Sequence, residues 1–345
     1  MATTTQAQAD VNRVAPIVLG RKDYLSVLLR LIGMDLYKVR RRLLSKVLLL
    51  VGTLVIAFVF LAIGITAWHF ASQPVTSFVP ANCAVLPHNV GCINHPATLA
   101  DMQHEKQRIL NGAAQLLNIP GVWNVEELFV IQVFAVLGII LAGALVGGEY
   151  SLGTVRLMFT RGPTRVQFLH AKIVVLAIYV VPTILFLMLL GTLIGSVMAQ
   201  LAGIGAGLSF FTAATFGHLV LFLLLGILYW FSYMLMALFF GTLGRSTVAA
   251  IVGPLIWLAI EPLLGNIITV LTSNGSGGLS DFLKAIPDYF LGNNLTSLLH
   301  NQGNALSFTN AGPYSDGHSL LVVAFYLTVF VGVACWLTVR RDVTQ

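Results

Sequence analysis

Polar side chains are scarce in this sequence, so the few that interrupt its apolar runs mark where chemistry could occur. Glu261 stands inside one such run, directly before Pro262, where the missing proline N–H frees a backbone carbonyl. An ionisable group inside a membrane costs several kcal/mol unless it pairs or neutralises. Glu261 could therefore line a solute path, bind a cation, or sit structurally at a helix break beside a Tyr or His. His218 opens another apolar run and reads first as an interface residue, with a place on the same path as the alternative. Cys83 and Cys92 could close a small disulfide loop. With His88 and His95 they could instead hold Zn or Cu, although that spacing matches no strong ligand pattern, or they could do neither. A polar interval set between two apolar runs is Gly147 to Arg165, GGEYSLGTVRLMFTRGPTR, which mixes one Glu, four Ser or Thr and three Arg with apolar residues. That composition suits recognition better than catalysis.

The elements that position these groups follow from composition. The chain has 345 residues, 57% hydrophobic and 9% charged, with a mean hydropathy of +0.88. Soluble domains carry about 25% charged residues, so a membrane protein is expected. A spanning helix needs roughly 20 apolar residues, and six stretches qualify: 47–69, 128–147, 173–199, 216–240, 248–271 and 320–339. A barrel would show shorter, alternating segments. With the N-terminus inside, sixteen of the nineteen Lys and Arg fall on the inner side and only Lys106, Arg108 and Lys284 on the outer. The positive-inside rule then gives a multi-pass cell-membrane protein with both termini cytoplasmic. The net charge of +6 is topological, and no nucleic acid is expected as a partner. Arg40 to Arg42 before the first span resemble a twin-arginine export signal, but the apolar core is too long for a cleaved one and the span reads as an anchor.

Residues 1–20 read as a mobile cytoplasmic tail, 21–46 as an interfacial segment and 47–345 as the six-helix transmembrane domain. Leu25, Leu28, Leu29, Ile32 and Leu36 recur at helical spacing beside basic residues, the pattern of an amphipathic helix on the inner membrane surface; a plain basic anchor is the alternative. Outer segments cover 70–127, with a helix expected over Asp101 to Leu117, and 272–319, expected to form short helices dipping into the outer leaflet around Pro287. Gly191, Gly195, Ala199, Gly203 and Gly207 recur every fourth residue, which predicts close helix approach and a break near Gly203.

The interval 147–165 is longer than a solvated turn requires. Gly147 and Gly148 suggest a sharp exit from the bilayer, a short half-apolar helix follows, and Gly162-Pro163 ends it. Thr164 with Gln167 resembles a capping box for the next helix. The short helix offers a docking surface across the inner mouth of the protein.

Glu149-Tyr150-x-x-Gly153-Thr154-x-Arg156, then Arg161-Gly162-Pro163-x-Arg165 and Lys172, resembles the inner loop of type-2 ABC transporter permeases. The likeness extends to the amphipathic segment, the six-span layout, and Glu261-Pro262 with Pro287 before the last span. The first outer segment is longer than in the simplest members. The resemblance implies an all-α integral membrane fold like that of type-2 ABC exporters, with an N-terminal interfacial helix. It also implies that Glu149, Tyr150, Gly153, Thr154, Arg156, Met158, Phe159 and Arg161 form a coupling helix that seats on a separate ATPase subunit.

No G-x-x-x-x-G-K-[ST] loop occurs, so the chain is not expected to be an enzyme; ATP and Mg would bind the partner, with no cofactor in this chain. Two ATPase copies and a second permease, identical or different, complete the expected complex in the lipid bilayer. Export of an amphiphilic or hydrophobic substrate is expected, because the family mostly exports and no importer-type Glu-Ala-Ala loop is present. The alternative is an ATP-independent channel or secondary transporter. An intramembrane enzyme would need acid, base or metal residues clustered at one depth, and no such cluster is evident in the spans.

Overall fold

In a bilayer each backbone N–H and C=O must be satisfied within its own segment, so long apolar runs become helices. The computed structural model describes residues 21–78, 83–85, 90–92, 98–159, 163–204, 212–273 and 277–340. Its order is α1 (Arg21–Arg41), α2 (Leu43–Ser72), a two-stranded ribbon of β1 (Cys83–Val85) and β2 (Val90–Cys92), α3 (Leu99–Leu117), and α4 (Gly121–Val125). A π-helical turn, Glu126–Ile131, leads into α5 (Gln132–Ser151), followed by α6 (Thr154–Phe159), α7 (Arg165–Leu201), α8 (Ala213–Gly244) and α9 (Thr247–Thr272). The chain closes with α10 (Gly278–Ala285), a 3-10 turn over Ile286–Tyr289, α11 (Leu291–Ala305) and α12 (Asp316–Arg340). Six of these, α2, α5, α7, α8, α9 and α12, are long and apolar enough to cross a membrane. The protein is thus a predominantly helical, multi-pass membrane protein.

The helices outrun their apolar cores because polar residues continue the helical path beyond them. α7 begins at Arg165, not Ile173, where the Thr164 hydroxyl accepts the Gln167 N–H and the Gln167 side chain accepts the Thr164 N–H. That reciprocal pair satisfies two otherwise orphaned donors. Similar boxes start α3 at Thr98 and α8 at Thr212. Arg245, at φ +48°, ends α8 in a left-handed turn, and Ser246 then caps α9.

α5 sits at the centre: Ile139, Ala142, Leu145 and Val146 are buried, and the helix packs on α8 and α9. Gly147 does not release the chain from the bilayer as the sequence suggested. It lies within α5, where a Cβ would meet the Thr247 Cα at 2.7 Å and the Ser246 carbonyl at 2.8 Å, so it lets α5 approach the start of α9. By contrast α2, α9 and α12 turn Phe58, Val248, Val270, Leu321 and Phe325 outward, the surface that lipid or another spanning subunit can cover.

Two ends can be distinguished. The basic end carries α1, α6, the α8–α9 turn and the close of α12, where the Arg165 guanidinium donates to the Val339 carbonyl (3.0 Å). At the far end α3 lies on α2, and the Lys106 ammonium donates to the carbonyls of Ala71 (2.9 Å) and Gln73 (2.7 Å), closing the α2 terminus. α11 buries Leu291, Leu295, Leu298 and Leu299 against α8 and α12. The ribbon register makes Cys83 and Cys92 partners across the two strands, while their side chains lie outside the described residues. We expect them to be disulfide-bonded: non-reducing mass spectrometry should find the two peptides joined, and two thiols that alkylate without reductant would remove the pairing.

Candidate functional site

Four charged side chains meet at the basic end. Lys172, the eighth residue of α7, is fully buried, and its ammonium lies 2.8 Å from Asp35 Oδ2 on α1 and 2.8 Å from Glu149 Oε1 on α5. Lys38, one turn beyond Asp35, reaches the same two carboxylates at 3.3 Å and 3.0 Å and is the only partly exposed member. Two ammoniums balance two carboxylates, so no net charge is buried. Burial opposes the charge on Lys38, but Glu149 and Asp35 outweigh it and hold the ammonium above its ordinary range. The quartet ties α1, the end of α5 and the start of α7 into one corner. Gln167 strengthens it by donating to the Tyr24 carbonyl (3.2 Å), and Arg42 by donating to the Ala144 carbonyl (3.1 Å) at the break between α1 and α2.

From this corner the chain turns through Gly153, at φ +66°, a conformation only glycine adopts without strain, into α6. The Thr154 hydroxyl donates to the Glu149 carbonyl (3.2 Å) across the turn. Leu152 is 76% exposed at its tip. Between α1 and α6 runs a groove of about 300 Å³ lined by Met34, Lys38, Arg42, Leu152, Thr154 and Met158, with Glu149 at its floor.

The expected coupling residues therefore divide. Gly153, Thr154 and Met158 shape the turn and groove. Tyr150 packs edge-on against Phe168, with ring centroids 6.5 Å apart. Glu149 is turned inward rather than onto an open surface, because Lys172 and Lys38 hold it there. Arg156 and Phe159 lie on α6 with side chains outside the described residues, and Arg161 lies outside them altogether.

The path candidates Glu261 and His218 are not brought together. His218 Nδ1 stands 3.0 Å from Gln302 Oε1 and fastens α8 to α11. Glu261 lines a cavity of about 250 Å³ between α5, α8, α9 and α11, and its Oε1 accepts the Gly292 N–H at 2.7 Å.

Sequence reasoning missed a second acidic site. Glu126 and Glu127, on the π-helical turn, are both buried, and none of their four oxygens finds a hydrogen-bond partner among the described residues. They border a cavity of about 20 Å³ with Trp230, Phe222 and Met188, room for about one water. Glu127 Oε1 lies 3.3 Å from His300 Nε2 without hydrogen-bond alignment, and burial pushes the His300 imidazole below its ordinary range. The glycine stripe of α7 accommodates this turn: a Cβ on Gly191 would run into Glu126 Oε1, and one on Gly195 would stand 2.7 Å from Val122. A double Glu directly before an apolar run was the available signal. Among the described residues no three His, Cys, Asp or Glu converge to hold a metal.

The model of a family described as "Protein of unknown function (DUF2705)" matches residues 107–344, more than half of the chain, from within α3 through α12. No curated protein matches.

Proposed function

The chain belongs to the DUF2705 family, and we propose that it is the permease subunit of an ABC transporter of the type-2 exporter kind. The observation that carries the proposal is the corner where the α5–α6–α7 connection is latched to α1 by the buried Asp35–Lys172–Glu149–Lys38 quartet. A turn that only joined two helices would need no buried ion pairs. One that passes force from a docked subunit into the bundle needs a stiff root, and charge pairs excluded from water supply it.

In this reading the basic end faces the cytoplasm, and α6 with Leu152 seats on an ATPase subunit that binds Mg-ATP. Closure of two such subunits drives two permeases between inward-open and outward-open states. The apolar outer faces of α9 and α2 support a second permease and a surrounding bilayer. The chain itself carries no catalytic role, and Glu149 acts by positioning α6.

A second reading, an ion-coupled carrier working without ATP, draws on the buried Glu126 and Glu127 beside His300, since buried acids recur in proton relays. Co-purification separates the two. We expect an ATP-binding subunit to travel with the protein, and Leu152→Glu or Arg156→Glu to cut its yield roughly ten-fold, a loss of about 1.4 kcal/mol of docking energy, with membrane insertion unchanged. Unaltered complex yield and unaltered stimulated hydrolysis would contradict the docking assignment. Solute uptake by the lone protein in liposomes, driven by an ion gradient, would establish the second reading.

A further inference from the structure

The cavity beside Glu261 has a composition that selects its occupant. Its polar lining is Gln132 from α5, Tyr229 and Tyr233 from α8, Glu261 from α9, and Asn293 and Thr296 from α11. Among the described residues no Lys, Arg or His lines it, so its carboxylate, 5% exposed, meets no cation from them in the cavity. Further acceptors are the side-chain oxygens of Gln132, Asn293 and Thr296, which line the same cavity. The Tyr229 and Tyr233 rings stand 5.3 Å apart at 51°, an aromatic flank of the kind that attracts cations. Gly292 keeps the floor open, since a Cβ there would stand 2.9 Å from both Glu261 Oε2 and the Tyr233 hydroxyl. At about 250 Å³ the space is below the 300–1,000 Å³ of a pocket for a whole drug-sized molecule and suits a head group. Leu258 and Pro262 supply the apolar part of the wall, against which a tail can lie.

We propose that this cavity binds the primary ammonium head group of an amphiphile, with Glu261 as counter-ion, the side-chain oxygens of Gln132, Asn293 and Thr296 as further acceptors and the two tyrosines flanking the charge. The binding is read from the cavity alone; naming such a molecule as the transported substrate rests on the permease function proposed above.

The full-length protein in phosphatidylcholine nanodiscs is titrated at pH 7 with dodecylamine and with dodecyl glucoside, and binding to empty nanodiscs is subtracted. The amine is expected to bind at least about ten-fold tighter than the glucoside. Glu261→Gln, which keeps an oxygen for the Gly292 N–H, is expected to bring the two within about three-fold of each other. Thr296→Leu, which fills the cavity without touching the carboxylate, is expected to weaken amine binding to a similar degree, and Glu126→Gln to leave the preference intact. Equal binding of the two probes by the unmodified protein would overturn the proposal in favour of a polyol or unselective apolar site, as would an amine preference that survives in both Glu261→Gln and Thr296→Leu. No ATPase subunit is present in the assay. Amine binding without ATPase docking would therefore remove the permease reading and leave the site standing, while docking without amine selectivity would do the reverse.

Discussion

Replacing Lys172 by Met lowers the stability of the protein by about 3–5 kcal/mol, the usual loss when one partner of a buried ion pair is removed. Lys172 is fully buried, and Asp35 and Glu149, at 1% and 3% exposure, depend on its ammonium at 2.8 Å. After the change two buried carboxylates face only Lys38, which is itself partly in solvent. The large effect comes from stranding charge, not from losing a strong bond, and that distinction is testable. The double variant Lys172→Met with Glu149→Gln leaves one carboxylate for one ammonium, Asp35 with Lys38 at 3.3 Å, and should recover more than half of the loss. Thermal unfolding of the purified variants in one detergent measures both. A single variant that melts with the unmodified protein would show that the quartet does not hold the corner together.

Gly191→Val is the second large effect, expected at about 3 kcal/mol, the upper range for an overpacked site. A Cβ at this position would collide with Glu126 Oε1 and stand 2.9 Å from Phe60. Phe60 is fully buried on α2 and Glu126 has only a cavity of about 20 Å³ beside it, so neither neighbour can retreat far. The milder Gly191→Ala, combined with Glu126→Ala, removes the obstructing carboxylate and should return most of the stability lost in Gly191→Ala alone. If Gly191→Val unfolds at the temperature of the unmodified protein, the turn carrying Glu126 is not seated on α7.

These two positions also mark how far the sequence can be read. The six spans are legible because 20-residue apolar runs have one solution in a bilayer, and the Thr164–Gln167 cap is legible because its chemistry is local. Lys172 was legible as the last residue of the inner-loop motif, on the way into the third span, but not as a buried one. Its burial depends on Asp35 and Glu149, which come from two other helices. The stripe Gly191, Gly195 and Ala199 announced close approach, but not that the approaching groups would include Val122 of α4 and Glu126 of the π-helical turn as well as Phe60 of the long helix α2. Glu126 and Glu127 read as the polar rim of an outer loop, because nothing adjacent in sequence tells that Gly191 opens room for a carboxylate. Glu261 was visible as an anomaly through Pro262, whereas its cavity is built by Gly292 and Asn293, far along the chain.

The latch at the basic end has a consequence for how the molecule is made. Asp35 belongs to α1, and Lys172, on α7, the third of the spanning helices among the described residues, follows it by about 140 residues of synthesis. At about 5–20 residues per second of synthesis, Asp35, paired only with Lys38 of its own helix, waits on the order of ten seconds for Lys172. During that interval the contact that buries Asp35 against α7 does not exist. Docking of α1 thus becomes a completion signal that only a chain translated past α7 can give, and a prematurely terminated product would display an undocked basic helix, its Asp35 unburied, to the membrane's quality-control proteases.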